Sequence, residues 1–411
     1  MTVPFSLTPL LQYIEQQHEP ICAYYYDLDY LAQRARWISE SLPQRVHFYY
    51  AIKANSDTPV LTTLAPHVHG FEVASLGEIH KARQASSGTP IAFGGPGKTQ
   101  VELQGAIEAD VELYHVESEL QLVRLNALAT KSGKVVKVLL RVNPRFDLPD
   151  ATLQMAGKPT QFGIDQDRIC DVLDSLPAYS HIRCVGFHFH ALSNNLDARS
   201  HLLLVQSYVE VARSWQRAYG LNIEVLNIGG GIGINYTPGG AQFDWPYYCQ
   251  EVERYLDSGD FDFPLAMECG RFVTATMGCY VTEVTDIKVN HGENFAILRG
   301  GNHHFRLPSS WQHNHPFQVV PVEQWSWPCP RPGVSQQEIT LCGELCTPKD
   351  VLAKQVTVDQ LRVGDLVLFD KAGAYGWHIS HHDFLSHPHP HRVYLHDNHL
   401  CQIDSVIAGT N

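Results

Sequence analysis

RVHFYYAIKAN, residues 45–55, reads as an apolar strand that ends on a lysine. In a barrel of parallel strands, catalytic groups collect where the strands end at the C-terminal mouth. Lys53 is expected at such a mouth. Desolvation lowers an amine's pKa and makes it nucleophilic towards an aldehyde. A strand-end lysine that merely reaches water has the same local sequence, so the surroundings must decide.

Outward from this stretch, short apolar runs alternate with amphipathic ones. The helical period of TPVLTTLAPH (58–67) follows the Lys53 strand. GFEVAS (70–75) is a strand and LGEIHKARQA (76–85) a helix. PIAFGG, ELYHV, VVKVLLRVNP, IRCVGFHFHA, IEVLNIGGG and FPLAMECGR continue the strand series, with helices such as 118–133 and 201–220 between them. Such alternation predicts parallel βαβ units. Some eight units over about 250 residues suit a closed (β/α)8 barrel better than an open sheet.

After about residue 280 the texture changes. CYVTEVTDIKVN, NFAILRG, HPFQVVPV, QEITLCG and DLVLFD are strand-like, with few helices between. They predict a C-terminal β-domain of sandwich or barrel type. PICAYYYDLDYL (20–31) reads as an early strand able to join it. The expected organisation is 1–28 as the joining segment, 29–280 as the barrel and 281–411 as the β-domain.

Composition narrows the function. The 411 residues carry a formal net charge of -13, which repels phosphate backbones and argues against nucleic-acid partners. No apolar run reaches 18 residues and the N-terminus lacks a signal-peptide pattern, so no membrane partner is expected and the chain reads as cytoplasmic. Its ten cysteines have no paired spacing and read as reduced thiols. The histidine-rich run WHISHHDFLSHPHPHR (377–392) reads as a polar loop, and no HExxH or CxxC pattern calls for a metal.

Further stretches carry chemistry. LNIGGGIGI places Gly229, Gly230 and Gly231 after a strand, where backbone N–H groups can approach a phosphate. MECGRF sets Glu268 and Arg271 on either side of a turn at Gly270. A carboxylate there could face a pyridine nitrogen, and an arginine could pair with a phosphate. In GFHFHALSNN, His188 and His190 share one strand face; His190 could stack on an aromatic cofactor and Ser193 bond its phosphate. CGELCTPKD offers Cys346 as a proton donor, with Asp350 beside it, and KAGAYGW offers Tyr375.

Taken in order, these stretches resemble the alanine-racemase-like pyridoxal-phosphate enzymes, in the ornithine and diaminopimelate decarboxylase branch. The resemblance runs from about Ala23 to Tyr375 and includes FEVASLGEI with Glu78, FGGPGKT near Lys98, and LRVNP with Arg141, a candidate substrate residue. It implies a pyridoxal 5'-phosphate cofactor held by Lys53 as a Schiff base. It further implies His190 stacked on the ring, Glu268 against the pyridine nitrogen, and Ser193, Gly229 to Gly231, Arg271 and Tyr375 near the phosphate. Cys346 and Asp350 resemble residues that family members donate across a dimer interface, so a homodimer with shared sites is expected. A carboxylate at the pyridine nitrogen favours decarboxylation; racemases of this fold place an arginine there.

The substrate end departs from the familiar branches. Thr347 stands where basic-amino-acid decarboxylases carry an acidic residue, and Glu344 where proline is common. The GGNHHFR segment, with His303, His304 and Arg306, could clamp carboxylates. It looks like the siderophore-pathway decarboxylases of citryl-serine or citryl-diaminopropionate. The alternative is a free diamino acid (diaminopimelate, ornithine, lysine, arginine or carboxynorspermidine), with Glu344 holding the distal amine. A non-catalytic pyridoxal-binding homologue is the third reading.

Overall fold

The computed structural model describes residues 3–146, 153–259, 261–397 and 399–403. The outermost residues of the expected domains, 1–2 and 404–411, lie outside these. The chain divides into two compact units: Ala32–Asn235 with Ala241–Val273, and Met1–Leu31 with Tyr236–Gly240 and Thr274–Asn411.

Ala32–Asn235 with Ala241–Val273 is a closed parallel barrel of the expected (β/α)8 kind. Among the described residues its strands run in the order Val46–Ala51, Gly70–Val73, Ile91–Phe93, Leu113–Val116, Val136–Asn143, Ile182–Phe189, Val225–Asn227 and Leu265–Cys269, and the last pairs with the first. Tyr49, Ala92, Leu113, Leu139, Val185, Val225 and Ala266 form one buried apolar layer. Side chains on a strand repeat on one face every second residue. Two positions further along, the same faces carry His115, Arg141, Asn227 and Glu268. The Ile182–Phe189 strand reaches this level at His188 because its register slips by one residue against Val138/Leu139. An apolar plug therefore lies beneath a polar layer, which is why the chemistry sits at the strand ends.

Helices return the chain between strands. Helix Gln100–Glu108 starts with a capping box between Thr99 and Glu102. Helix Ala198–Tyr219 buries Leu204, Val205, Tyr208, Val209, Ala212 and Trp215 on one stripe and ends on left-handed Gly220.

Met1–Leu31 with Tyr236–Gly240 and Thr274–Asn411 is built on a mixed sheet. Strand Cys22–Asp27 lies antiparallel to Gly278–Asn290 and parallel to His391–His396. Both faces are covered, and Tyr24, Tyr25 and Tyr26 are fully buried. Burying an aromatic ring contributes roughly 1.5–3 kcal/mol, which anchors this early strand in the late sheet. Strand Gly278–Asn290 runs unbroken across residue 280. The histidine-rich run is a loop with turns at Trp377–Ile379 and Phe384–Ser386, and its last two residues, 391–392, begin strand His391–His396.

Candidate active site

The barrel mouth brings together residues from separate strand ends. Lys53 lies in a turn, Ile52–Ala54, after its strand. Its Nζ donates to Glu72 Oε2 at 2.9 Å, and Glu72 is the next-to-last residue of strand Gly70–Val73. The lysine side chain is 42% exposed and that of Glu72 only 6%, so the amine faces outward while its counter-charge is buried. Burial pushes the Glu72 carboxyl above its usual range, with Lys53 pulling the other way.

Glu268 is buried under this pair. Asn227 Nδ2 donates to its Oε1 at 2.7 Å. His115 Nδ1 stands 3.6 Å from Oε1 and His188 Nε2 3.5 Å from Oε2. The two imidazoles stack with centroids 4.1 Å apart. Burial, then neighbouring cations and histidines, drive His188 and His190 well below the usual histidine range; His115 shifts the same way despite Glu268. All three rings are neutral. Lys98, held down to about 8 by burial, donates to the carbonyls of Gly95 and His115 and fixes the strand that carries His115.

The glycine turn differs in part from the sequence expectation. Gly229 N–H donates to Asn227 Oδ1 at 2.9 Å, and Gly230 N–H to His190 Nδ1 at 3.1 Å. Two of the three amides assigned to a phosphate are thus bonded within the chain. The glycines have another role: a Cβ on Gly230 would lie 1.6 Å from Glu268 O, and Gly229 has φ +68°. Bare Cα atoms let the turn close onto the strand that carries Glu268. Gly270 likewise lets its turn approach Ala51 and Ala54 beside Lys53. Arg271, buried, opens the short helix Arg271–Thr274. Ser193 lies in the two-residue strand Leu192–Ser193 beyond His190.

Arg141 is not displayed towards a substrate. It is buried, with Nη1 2.7 Å from Glu117 Oε1 and its guanidinium over the Phe162 ring. It reads as a brace of the barrel mouth.

The remaining expected residues lie in Thr274–Asn411. Cys346 is exposed. Tyr375 adopts left-handed φ +55° in its turn. Asp350, expected near the substrate, is 2% exposed and accepts from Asn302 N and Leu345 N. Its Oδ1 holds the turn at Asn302 and its Oδ2 the loop that presents Cys346. His303 and His304 are fully buried and therefore do not clamp carboxylates at the surface of this chain. Burial, with His303 and Arg299 adding, pushes His304 down to about 2, so its ring is uncharged. Glu344 has Arg299 Nη1 2.5 Å from each carboxylate oxygen. Of the expected clamp, Arg306 alone is exposed.

A pyridoxal group needs an amine for its aldehyde, an anion for its ring nitrogen and a flat neutral face for its ring. Lys53, Glu268 and His190 match those needs, and the bare glycine turn leaves room beside them. The barrel and this donor set define a pyridoxal-dependent lyase. Residues 28–275 match the family described as "Pyridoxal-dependent decarboxylase, pyridoxal binding domain". The chain is 46% identical over 388 residues to the 2-[(L-alanin-3-ylcarbamoyl)methyl]-2-hydroxybutanedioate decarboxylase of Staphylococcus aureus, covering 94% of this chain and 97% of that one. It is 33% identical to the L-glutamyl-[BtrI acyl-carrier protein] decarboxylase of Niallia circulans, over 89% of this chain and 87% of the other. Diaminopimelate decarboxylase of Campylobacter jejuni is 28% identical over 87% of this chain and 86% of its own. The crystal structure of Helicobacter pylori diaminopimelate decarboxylase complexed with L-lysine superposes with a TM-score of 0.84 at 25% identity, covering 96% of this chain and 95% of that one. The chain belongs to the pyridoxal-dependent decarboxylases; it is a carboxy-lyase whose cofactor is pyridoxal 5'-phosphate.

Sequence reasoning passed over Glu72, His115 and Asn227. A signal existed: each stands at a strand end, like Lys53. No helix of the described residues is long and apolar enough to cross a membrane.

Proposed function

We propose that this enzyme removes the α-carboxylate of an amino-acid unit joined to a polycarboxylic acid. The substrate is a citryl conjugate of the citryl-diaminopropionate or citryl-serine type, formed in siderophore assembly. The observation that carries this reading is the 46% identity, along almost all of both chains, to an enzyme named for a hydroxybutanedioate linked through a carbamoyl group to an alanine unit. The relative at 33% is also named for a conjugate, and the diaminopimelate decarboxylases of Vibrio cholerae and Campylobacter jejuni stand at 32% and 28%, all well below 46%.

The free diamino-acid reading needs an acid to hold the distal amine. Thr347 is not one, and the Glu344 charge is already matched by Arg299.

The bound pyridoxal group supplies an electron sink for the pair left when carbon dioxide departs. Lys53 Nζ supplies the amine that holds the cofactor and passes a proton as substrate enters. Glu72 keeps that amine oriented and charge-matched. Glu268, steadied by Asn227, holds a proton at the pyridine nitrogen. His190 offers a neutral ring face. Ser193, Gly231 and Arg271 would hold the cofactor's phosphate. Cys346, supplied by a second copy in a homodimer, delivers the proton that replaces carbon dioxide at the α-carbon. Arg306 pairs with a far carboxylate of the substrate.

Carbon dioxide release tests the reading. The panel holds ornithine, lysine, arginine, diaminopimelate, serine and diaminopropionate, with citryl conjugates of the last two. Release from a conjugate alone is expected. Release from a free diamino acid and none from the conjugates would overturn it.

A further inference from the structure

Three stretches distant in sequence meet around one carboxylate. His303 and His304 come from the turn after strand Glu293–Leu298, Glu344 from the loop after strand Gly333–Cys342, and His387 from the histidine-rich run. One nitrogen of His303, one of His304 and one oxygen of Glu344 all lie within 4.8 Å of one another. His303 Nε2 is 3.6 Å and His387 Nδ1 3.4 Å from Glu344 Oε1. The His303 and His304 rings face each other with centroids 3.7 Å apart.

Both rings are fully buried, yet both nitrogens of His303 and Nε2 of His304 have no hydrogen-bond partner. A buried polar group left unpaired costs about 1–3 kcal/mol. Three such atoms within one cluster indicate a missing partner. His304 Nδ1 lies 3.5 Å from Cys22 Sγ, which leaves Nε2 as the nitrogen available to a ligand.

We infer that His303, His304, Glu344 and His387 form a site for a divalent transition metal of the zinc type. Three imidazoles and a carboxylate are a donor set for zinc, cobalt or nickel rather than calcium or magnesium. The donors converge from three separate stretches onto the one Glu344 carboxylate. Arg299 plays the part of the outer partner that orients a ligating carboxylate: it keeps one Glu344 oxygen while the other turns to the ion. An anionic occupant is disfavoured, because a carboxylate already stands at the centre. The ion would tie together the turn at 303–304, the loop at 344 and the run at 387. This site goes beyond the substrate reading and does not depend on it.

The test uses the full-length, cofactor-loaded protein after treatment with a chelator. Co2+ is titrated in, followed by its visible d–d absorption and by calorimetry. One ion per chain is expected, with melting temperature rising on saturation. His304→Gln and the more accessible His387→Ala should each weaken Co2+ binding at least about tenfold, an effect of the size metal-site changes produce. His381→Gln, in the same histidine-rich run but outside the cluster, should leave it unchanged. Absence of saturable Co2+ uptake by the unaltered protein would overturn the inference. So would uptake that survives His387→Ala intact, or uptake lost in His381→Gln. Carbon dioxide release enters none of these readouts, so failure here leaves the substrate reading standing, and the reverse.

Discussion

Glu72 Oε2 lies 2.9 Å from Lys53 Nζ; Glu72 is the register partner of Ala51 on the adjacent parallel strand, and Lys53 stands in the turn that follows Ala51. The pair couples an outward-facing amine to a buried acid. Replacing Glu72 with glutamine keeps the shape and removes the charge. The expected result is a fall in kcat of roughly 10²-fold, the lower range for a positioned proton-transfer group. Lys53→Ala should abolish turnover. Borohydride reduction followed by peptide mass analysis should find the cofactor on the Lys53 peptide, and its appearance elsewhere would refute the assignment.

Gly230→Ala tests the closure of the glycine turn. A Cβ there would stand 1.6 Å from Glu268 O, a contact with backbone that cannot rotate away. Overpacking costs typically 1–3 kcal/mol, and this substitution belongs at or above the upper end. A clear drop in melting temperature and in cofactor retention is expected. Thermal melts of holoenzyme check it; an unchanged melt would show that the strand can yield.

The buried histidines predict a pH dependence of stability. His115, His188, His190 and His201 are all shifted below the ordinary histidine value of about 6.5, chiefly by burial. Below about pH 6.5 the unfolded chain binds protons that the folded chain refuses. Stability should therefore be full above pH 6.5 and fall as pH drops, by up to ~1.4 kcal/mol per pH unit for each such histidine. Denaturant midpoints at pH 7.5, 6.5 and 5.5 measure this slope. A flat profile would mean that these rings take up protons in the folded state.

Arg306→Ala addresses the far end of the substrate. Arg306 is exposed and not within the reacting layer. KM for a citryl conjugate is expected to rise about tenfold or more, with kcat little changed, because an ion pair to a distant carboxylate stabilises bound substrate and transition state alike. A loss confined to kcat would move Arg306 out of the substrate contact.

Much of the barrel was legible because its signals are local. A strand-end lysine, a glycine run and the ECGR turn each lie within a few residues, and their order along the chain limits the fold. What the histidine-rich run touches was not legible, for the opposite reason. His387 meets Glu344, and strand His391–His396 pairs with Cys22–Asp27, hundreds of residues earlier. No local pattern encodes such a partner.

The sequence by itself determined the alternation of strands and helices, the amine at Lys53 and the acid at Glu268. These follow from the two-residue and 3.6-residue periods and from side-chain chemistry. Only the tertiary structure decided which polar groups stand free for ligands and which hold the protein together. Arg141 went to Glu117, Asp350 to the backbone of Asn302 and Leu345, two glycine amides to Asn227 and His190, and Glu344 to Arg299. Burial is the physical reason: a polar group removed from water must find a partner, and that partner is set by closure of the barrel and sheet.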